Sequence, residues 1–135
     1  MPVPGLTLDT GALIALERAD KRMRARLLAA EQDGIDVTVP AAVLAEWWRG
    51  GNGRQRNILE CVEVESLTEL VAKVAGDARA DALQATSPTG PKPSGIDAIV
   101  MASAAQRGDV VYTSDFDDLE LLRAFLPGVA RVLQT

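Results

Sequence analysis

Short apolar runs alternate with longer stretches of helical periodicity along the chain. The runs predict five strands, at residues 6–9, 36–39, 61–65, 109–113 and 130–133. Apolar residues at helical spacing predict helices over 10–19, a basic stretch that begins near residue 18 and ends before Gly34, 41–49, 67–85, 96–107 and a short segment from about 115. Strands that alternate with helices imply right-handed crossovers and a parallel sheet covered by helices. The pattern predicts one α/β domain, residues 1–135, with about five strands.

Glycine and proline mark the interruptions. Gly50 and Gly51 stop the third predicted helix, and Gly76 is a weak point within the helix over 67–85. Residues 87–95 hold three prolines and two glycines, which predicts a loop.

Composition excludes several kinds of chemistry. The 135 residues include one cysteine and no histidine, which excludes internal disulfides, zinc sites built from histidine or several cysteines, and nucleophile–histidine hydrolases. No apolar run approaches the roughly 18 residues of a membrane span, and the first ten residues lack a signal-peptide pattern. We therefore expect a cytoplasmic protein with no membrane association.

The net charge of −5 is carried by the second half of the chain, since acidic and basic residues cancel over 1–60. An acidic protein is a poor nonspecific coat for nucleic acid. The charge remains compatible with a nucleic-acid enzyme whose acidic site is neutralised by divalent cations.

Four acids are expected near one edge of the sheet. Asp9 ends the first strand and Asp115 follows the fourth, so both lie at the carboxyl edge, where such sheets build their sites. Asp97 lies in the first turn of its helix. Glu46 lies within an otherwise mostly apolar helix, where we expect it to be at least partly covered, with an outward orientation as the alternative.

Each acid also has a structural interpretation. Asp9 can cap the first helix, Ser94 and Asp97 fit a capping box, and Asp115 and its acidic neighbours can stabilise a helix N-terminus. Taken together, however, clustered carboxylates repel one another unless cations lie between them. An all-oxygen cluster suits Mg²⁺ or Mn²⁺, which makes phosphodiester cleavage the natural reaction class.

Four segments carry a family resemblance. LTLDTGALIAL, AAVLAEWWRG, GIDAIVMASAAQRG and VVYTSDFDDLELL resemble, in order and spacing, the motifs of PIN domains, and more narrowly those of VapC-type toxins of bacterial type II toxin–antitoxin pairs. The resemblance covers nearly the whole chain. It implies a five-stranded parallel sheet, Mg²⁺- or Mn²⁺-dependent endoribonuclease activity on transfer or ribosomal RNA, and a cognate VapB-type antitoxin.

The resemblance also implies roles for individual residues. Asp9, Glu46, Asp97 and Asp115 match the catalytic acids, and Asp9, Asp97 and Asp115 would bind metal together with Asp118. Asp117 competes with Asp118 for the last position, although the i, i+3 spacing from Asp115 favours Asp118. Hydroxyls that would support the acids are those of Thr10, Thr113 and Ser114. The loop over 87–95 departs from the family pattern in length and stiffness.

Substrate and partner contacts must come from outside the acids. Arg49, Arg54 and Arg56 flank a glycine-rich turn and are expected to bind RNA, whereas the basic residues of 18–26 fit RNA contact and a solvated helix face equally well. Trp47 and Trp48 cannot easily both be buried, so one is expected in the core and the other at a homodimer or antitoxin interface. A non-catalytic PIN-like module that binds RNA or protein is the alternative function. An aspartyl-nucleophile phosphatase is disfavoured, because that class needs a second acid two residues after the strand-end aspartate and this chain has Gly11 there.

Overall fold

The computed structural model describes residues 3–135, so the first two residues of the predicted domain lie outside the described part. Five parallel strands form one sheet in the order β3-β2-β1-β4-β5. They are β1 Leu6–Leu8, β2 Val37–Pro40, β3 Glu63–Glu65, β4 Val110–Thr113 and β5 Arg131–Gln134. The predicted parallel α/β sheet is confirmed. The chain leaves β1 toward one edge and β4 toward the other, so strand order reverses between them, which places the expected site at their carboxyl ends.

Seven helices occur within the described residues. They are α1 Thr10–Glu17, α2 Lys21–Gln32, α3 Ala41–Trp47, α4 Gly53–Glu60, α5 Glu69–Ala85, α6 Gly95–Arg107 and α7 Phe116–Arg123. α3 ends two residues earlier than predicted, and α5 runs through Gly76 without a break.

Helix α4 was not predicted from the sequence. Asn52 caps it by accepting a hydrogen bond from Gln55 N at 2.9 Å. The residue that α4 buries fully is Gln55, whose side chain donates to Trp47 O (2.7 Å) and accepts from Arg49 N (3.2 Å). Because glutamine counts as a polar residue in a hydrophobicity pattern, the apolar periodicity of this segment is too weak to predict the helix.

The core lies between the sheet and the helices. Trp47 is its largest fully buried side chain, packed in one cluster with Leu8, Leu13, Val43 and Met101. Trp48 is 40% exposed. The expectation that the two tryptophans would not both be buried is confirmed.

A polar network fixes the C-terminal end of α6 against the sheet. Arg107 pairs with Glu65 and with Asp109 (2.9 Å), and donates to Thr7 Oγ1 (2.9 Å) and Ser103 Oγ (3.0 Å). These contacts hold the helix across β1, β3 and the start of β4. Because α6 carries Asp97 at its other end, the network helps to set the position of that acid.

None of the helices in residues 3–135 combines the length and the apolar character that crossing a membrane requires.

Candidate acidic site

Asp9 is the buried centre of the acidic edge. It follows β1 and is 4% exposed, and its Oδ1 accepts from Ala12 N (2.9 Å) as the cap of α1. Its Oδ2 accepts from Thr113 Oγ1 at 2.5 Å. The pKa of Asp9 is raised to about 6, mainly because the carboxyl is buried; the two hydrogen bonds lower it, and the charges of Asp115 and Asp97 add to the rise. Asp9 is therefore both a helix cap and a member of a charged cluster.

Asp115 is joined to Asp9 through Thr113. The Thr113 hydroxyl donates to Asp9 and accepts from Asp115 N at 2.8 Å, so one buried side chain connects the ends of β1 and β4. Asp115 lies at the N-cap position of α7, but its side chain makes no capping hydrogen bond. The carboxylate is therefore not used by its own helix.

Gly11 allows the first turn of α1 to lie close to the turn between β4 and α7. A Cβ at position 11 would lie 1.9 Å from Ser114 Oγ and 2.6 Å from Ser114 Cβ. Any larger residue would push apart the first turn of α1 and the turn that carries Ser114 and Asp115.

Asp97 is held in the capping box that its spacing predicts. Its Oδ2 accepts from Ser94 N (2.8 Å), while Ser94 Oγ accepts from Asp97 N (3.0 Å). Burial raises the pKa of Asp97, helped by the charges of Asp115 and Asp118, against the hydrogen bonds with Ser94. The predicted capping box is therefore confirmed, and the same carboxylate is also within the influence of the charges of Asp115 and Asp118.

The two competing acids of α7 differ in their surroundings. The charge of Asp118 raises the pKa of Asp97, and Asp118 Oδ1 accepts from Lys92 N at 3.0 Å. Asp117 is exposed and lines a cleft beside Asp115. Of the two acids, Asp118 is the one whose charge acts on Asp97; its selection as the fourth acid stays a prediction.

Glu46 differs from expectation in its exposure. The expectation that it would be at least partly covered is wrong, because its side chain lies on the solvent side of α3 while Val43 and Trp47 face the core. Glu46 Oε1 accepts from Thr10 Oγ1 at 2.6 Å. This bond ties it to the residue that follows Asp9, so it lies at the rim of the acidic edge.

The three predicted substrate arginines do not form one group. Arg49 and Arg54 line a cleft with Ile14, Glu17 and Arg18. Arg49 pairs with Glu17 Oε2 (2.7 Å), and Arg54 donates to Glu17 O (2.8 Å). Arg56 Nε instead lies 3.2 Å from where a Cβ of Gly51 would be, beside the Trp48 ring.

Sequence reasoning missed the residues that build the site without acting as ligands. Glu17 accepts from Trp47 Nε1 (3.0 Å) and Asn52 Nδ2 (3.2 Å) as well as from Arg49, and so fixes the segment between α3 and α4. Gly11 lies two residues after the strand-end acid Asp9, a signal for close backbone approach that could have been used. The Glu17 contacts have no local signal, because they join residues 30 or more positions apart.

The donor set is chemically suited to a hard divalent cation. Its members are carboxylate and hydroxyl oxygens, the ligands that Mg²⁺ and Mn²⁺ prefer. Within residues 3–135, no three acidic side chains are arranged so that all could hold one ion. Asp9 and Asp97 turn their oxygens to backbone N–H and hydroxyl donors. Joint binding of an ion would therefore require side-chain rotation at this edge.

Comparisons with known proteins bear on this arrangement. The chain resembles, in fold, a chain of the DNA-bound VapBC complex from Salmonella typhimurium (TM-score 0.69, 19% identity, 98% of each chain covered). It likewise resembles chains of the DNA-bound VapBC2 complex from Rickettsia felis (0.69, 14%, 96% of this chain and 98% of that one) and of FitAcB from Neisseria gonorrhoeae (0.62, 21%, 95% and 96%). No curated protein matches the chain by sequence.

The family model that matches is the PIN domain, over residues 6–123. These residues span all but the last strand of the sheet and include every acid described above. PIN domains are generally nucleases. On this match the chain belongs to the PIN domain family.

Proposed function

We propose that this protein is an endoribonuclease that uses Mg²⁺ or Mn²⁺ and acts as the toxin of a type II toxin–antitoxin pair. The observation that carries the proposal is the convergence of Asp9, Asp97 and Asp115 at one sheet edge, where the Thr113 hydroxyl links Asp9 to the backbone N–H of Asp115. These acids come from distant parts of the chain, yet the charges of Asp115 and Asp97 raise the pKa of Asp9, and the charge of Asp115 raises the pKa of Asp97. Folding of this kind stores repulsion, which a bound cation would relieve.

The chain's own contribution is to hold the acids in place. Asp9, Asp97, Asp115 and Asp118 are the proposed metal ligands, and Glu46 completes the catalytic acids at the rim. Thr113 couples Asp9 to Asp115, and Thr10 orients Glu46. Ser114, packed on Gly11, fixes the turn before α7. A bound divalent cation would supply Lewis-acid stabilisation of the phosphate and an activated water.

The cleft lined by Arg49 and Arg54 is the proposed contact for the RNA backbone. With Arg18 and Glu17 its formal charge is +2, which suits a polyanion better than any part of the acidic edge. Arg56 points to a separate contact beside Trp48. Replacing Arg54 by Gln should weaken RNA binding across all sequences and lower its salt dependence by about one phosphate contact.

The nuclease proposal is tested by RNA cleavage in Mg²⁺, in Mn²⁺ and in EDTA. Wild type should cleave transfer or ribosomal RNA only with a metal, and Asp97→Asn and Asp115→Asn should be inactive while remaining folded. Asp77→Asn, an exposed acid on α5, is the matched control and should cleave normally. Cleavage undiminished in EDTA would contradict the metal mechanism. RNA binding without cleavage under any metal would favour a non-catalytic PIN module.

The proposed partner is a VapB-type antitoxin, and the proposed place of action is the cytoplasm. The support is the fold likeness to chains of VapBC and FitAB complexes. One candidate docking face surrounds Trp48, which is 40% exposed; another is a shallow apolar groove where α2 meets α4, with Leu28 54% exposed. An antitoxin arginine could also bind the acids much as a cation does.

Co-expression with the adjacent small gene tests the partner. The partner should co-purify, block cleavage and relieve growth arrest. Trp48→Ala and Leu28→Asp, made separately, should show which face it covers. A neighbour that neither binds nor protects would leave a free-standing PIN nuclease.

We also propose a homodimer. Leu67, Leu70 and Val74 form an exposed apolar stripe at the start of α5, with Leu70 66% exposed. Leu70→Glu should convert a dimer to a monomer in light scattering, whereas a monomeric wild type would refute the proposal.

A further inference from the structure

A cleft of about 770 Å³ lies directly beside the acidic edge and extends beyond the proposed metal ligands Asp115 and Asp118. One wall is the turn before α7 and its first residues; the other is the proline-rich loop that precedes α6. Its lining residues are Thr89, Gly90, Pro91, Ser114, Asp115, Phe116, Asp117, Asp118 and Gln134. Its volume is that of a typical small-molecule site.

An exposed aromatic ring lies in this cleft. Phe116 is 36% exposed and follows Asp115 directly, at the first position of α7. The other phenylalanine of the chain, Phe125, is packed against the core. An aromatic face that is accessible next to a candidate phosphodiester-cleaving centre offers a surface on which an unpaired base can stack.

The charge of the cleft restricts which part of a nucleotide can enter. Asp115, Asp117 and Asp118 line it, with no basic side chain among the lining residues; since Asp115 and Asp118 are proposed cation ligands, Asp117 is the charge that a bound cation leaves unpaired. A phosphate would be repelled, whereas a neutral base would not. Asp117, whose carboxylate makes no hydrogen bond with residues 3–135, can accept from the amino group of a base.

The wall opposite Phe116 is already formed. Lys92 N donates to Asp118 Oδ1 (3.0 Å), and Pro93 is buried while its carbonyl accepts from Arg79 Nε (3.0 Å). Gly90 N donates to Ser87 O at 3.0 Å. A segment fixed by prolines and by contacts at both ends loses little entropy when a ligand binds.

From the ring, the charge and the fixed wall together, we infer that this cleft is a subsite for one unpaired nucleobase next to the scissile phosphate, and that it favours adenine, cytosine or guanine over uracil. The base stacks on Phe116 and its exocyclic amino group donates to Asp117. Uracil lacks that amino group, and its single ring donor, N3–H, lies between two carbonyl oxygens that carboxylates would repel. The inference rests on the proposed ribonuclease function and adds the origin of its sequence preference.

The first test uses a single-stranded RNA library randomised at every position, cleaved in Mg²⁺ and sequenced at its new ends. Wild type should deplete uracil at one position beside the cut. Phe116→Leu, which keeps an apolar side chain without a ring face, should flatten the preference at that position alone, and Phe116→Tyr should retain it. Asp117→Asn should reduce the discrimination against uracil. A preference that Phe116→Leu leaves unchanged would overturn the inference.

The second test separates stacking from damage to the neighbouring acids. A substrate with an abasic residue at the preferred position should be cut about equally by wild type and Phe116→Leu. On the intact RNA the variant should lose about tenfold in kcat/KM, in line with one base–aromatic stack. Equal losses on both substrates would mean that Phe116 merely supports Asp115, and would refute the subsite.

Binding distinguishes failure of the subsite from failure of the nuclease proposal. RNA that carries 2-aminopurine, which keeps an amino group, should show fluorescence quenching with wild type and not with Phe116→Leu. Quenching without cleavage would retain the subsite and reject the nuclease. Cleavage without base-dependent quenching or sequence preference would retain the nuclease proposal and reject the subsite.

Discussion

Replacing Asp9 by Asn should stabilise the metal-free protein at neutral pH, although it removes a helix cap. The carboxyl of Asp9 has its pKa raised from 3.8 to about 6, mainly because it is buried. In the unfolded chain the proton leaves near pH 3.8, and in the folded protein near pH 6. Between these values the folded state binds more protons, so the free energy of unfolding falls as pH rises through this window. Above pH 6 the full penalty, about 3 kcal/mol at 1.36 kcal/mol per pH unit, is present.

The amide can replace most of what the carboxylate does locally. Its oxygen can accept from Ala12 N, and its nitrogen can donate to Thr113 Oγ1. The Thr113 hydroxyl then loses the acceptor of its own proton, which costs about 1 kcal/mol. We therefore expect Asp9→Asn to raise the free energy of unfolding by about 1–3 kcal/mol at pH 7.5, and to abolish RNA cleavage.

Urea unfolding in EDTA at pH 4, 5, 6 and 7.5 measures this effect. The advantage of Asp9→Asn should be greatest at pH 7.5 and be lost near pH 4, where the wild-type carboxyl is protonated when folded and already about 40% protonated when unfolded. Asp77→Asn is the control, because that acid is exposed on α5 and should show no such pH dependence. Saturating Mg²⁺ or Mn²⁺ should reverse the order by stabilising only wild type. If Asp9→Asn is instead less stable by 1 kcal/mol or more at every pH, capping outweighs charge burial and the reasoning is refuted.

Three further predictions concern residues that build the site. Gly11→Ala should lower the free energy of unfolding by about 1–3 kcal/mol and reduce cleavage, since its Cβ would lie 1.9 Å from Ser114 Oγ. Adding Ser114→Gly should restore much of this loss in urea unfolding. A Gly11→Ala protein as stable as wild type would contradict the close approach. Gln55→Leu should lower the free energy of unfolding by about 2 kcal/mol, because it leaves Trp47 O and Arg49 N without their partner. A urea midpoint equal to that of wild type would show that α4 does not depend on this contact. Glu17→Gln should cost about 1 kcal/mol and, by freeing Arg49, strengthen RNA binding in a filter assay; unchanged affinity would mean that Arg49 does not meet RNA.

The fold was predictable because its signals are local. Buried apolar runs separated by helical periodicity define the strands and most helices, and alternation of the two leaves a parallel sheet as the natural arrangement. Helix α4 was not predicted, because its buried face centres on Gln55. The burial of Gln55 depends on hydrogen bonds with Trp47 O and Arg49 N rather than on apolar periodicity. Helix α3 ends earlier than predicted, because Trp47 packs in the core and Trp48 turns away from it.

The acids were predictable as candidates, since strand-end and helix-start positions fix where Asp9, Asp97 and Asp115 lie relative to the sheet. Which of their interpretations holds was decided only by tertiary structure. Asp97 is at once a capping residue and a member of the cluster, and Glu46 is exposed beside Thr10.

Local sequence determined the elements of this protein, because capping and apolar periodicity act over a few residues. Contacts between distant residues decided the rest: the approach of Ser114 to Gly11, the separation of Arg56 from Arg49 and Arg54, and the cleft beside Phe116. These depend on packing and charge burial across the sheet, and no short stretch of sequence carries that information.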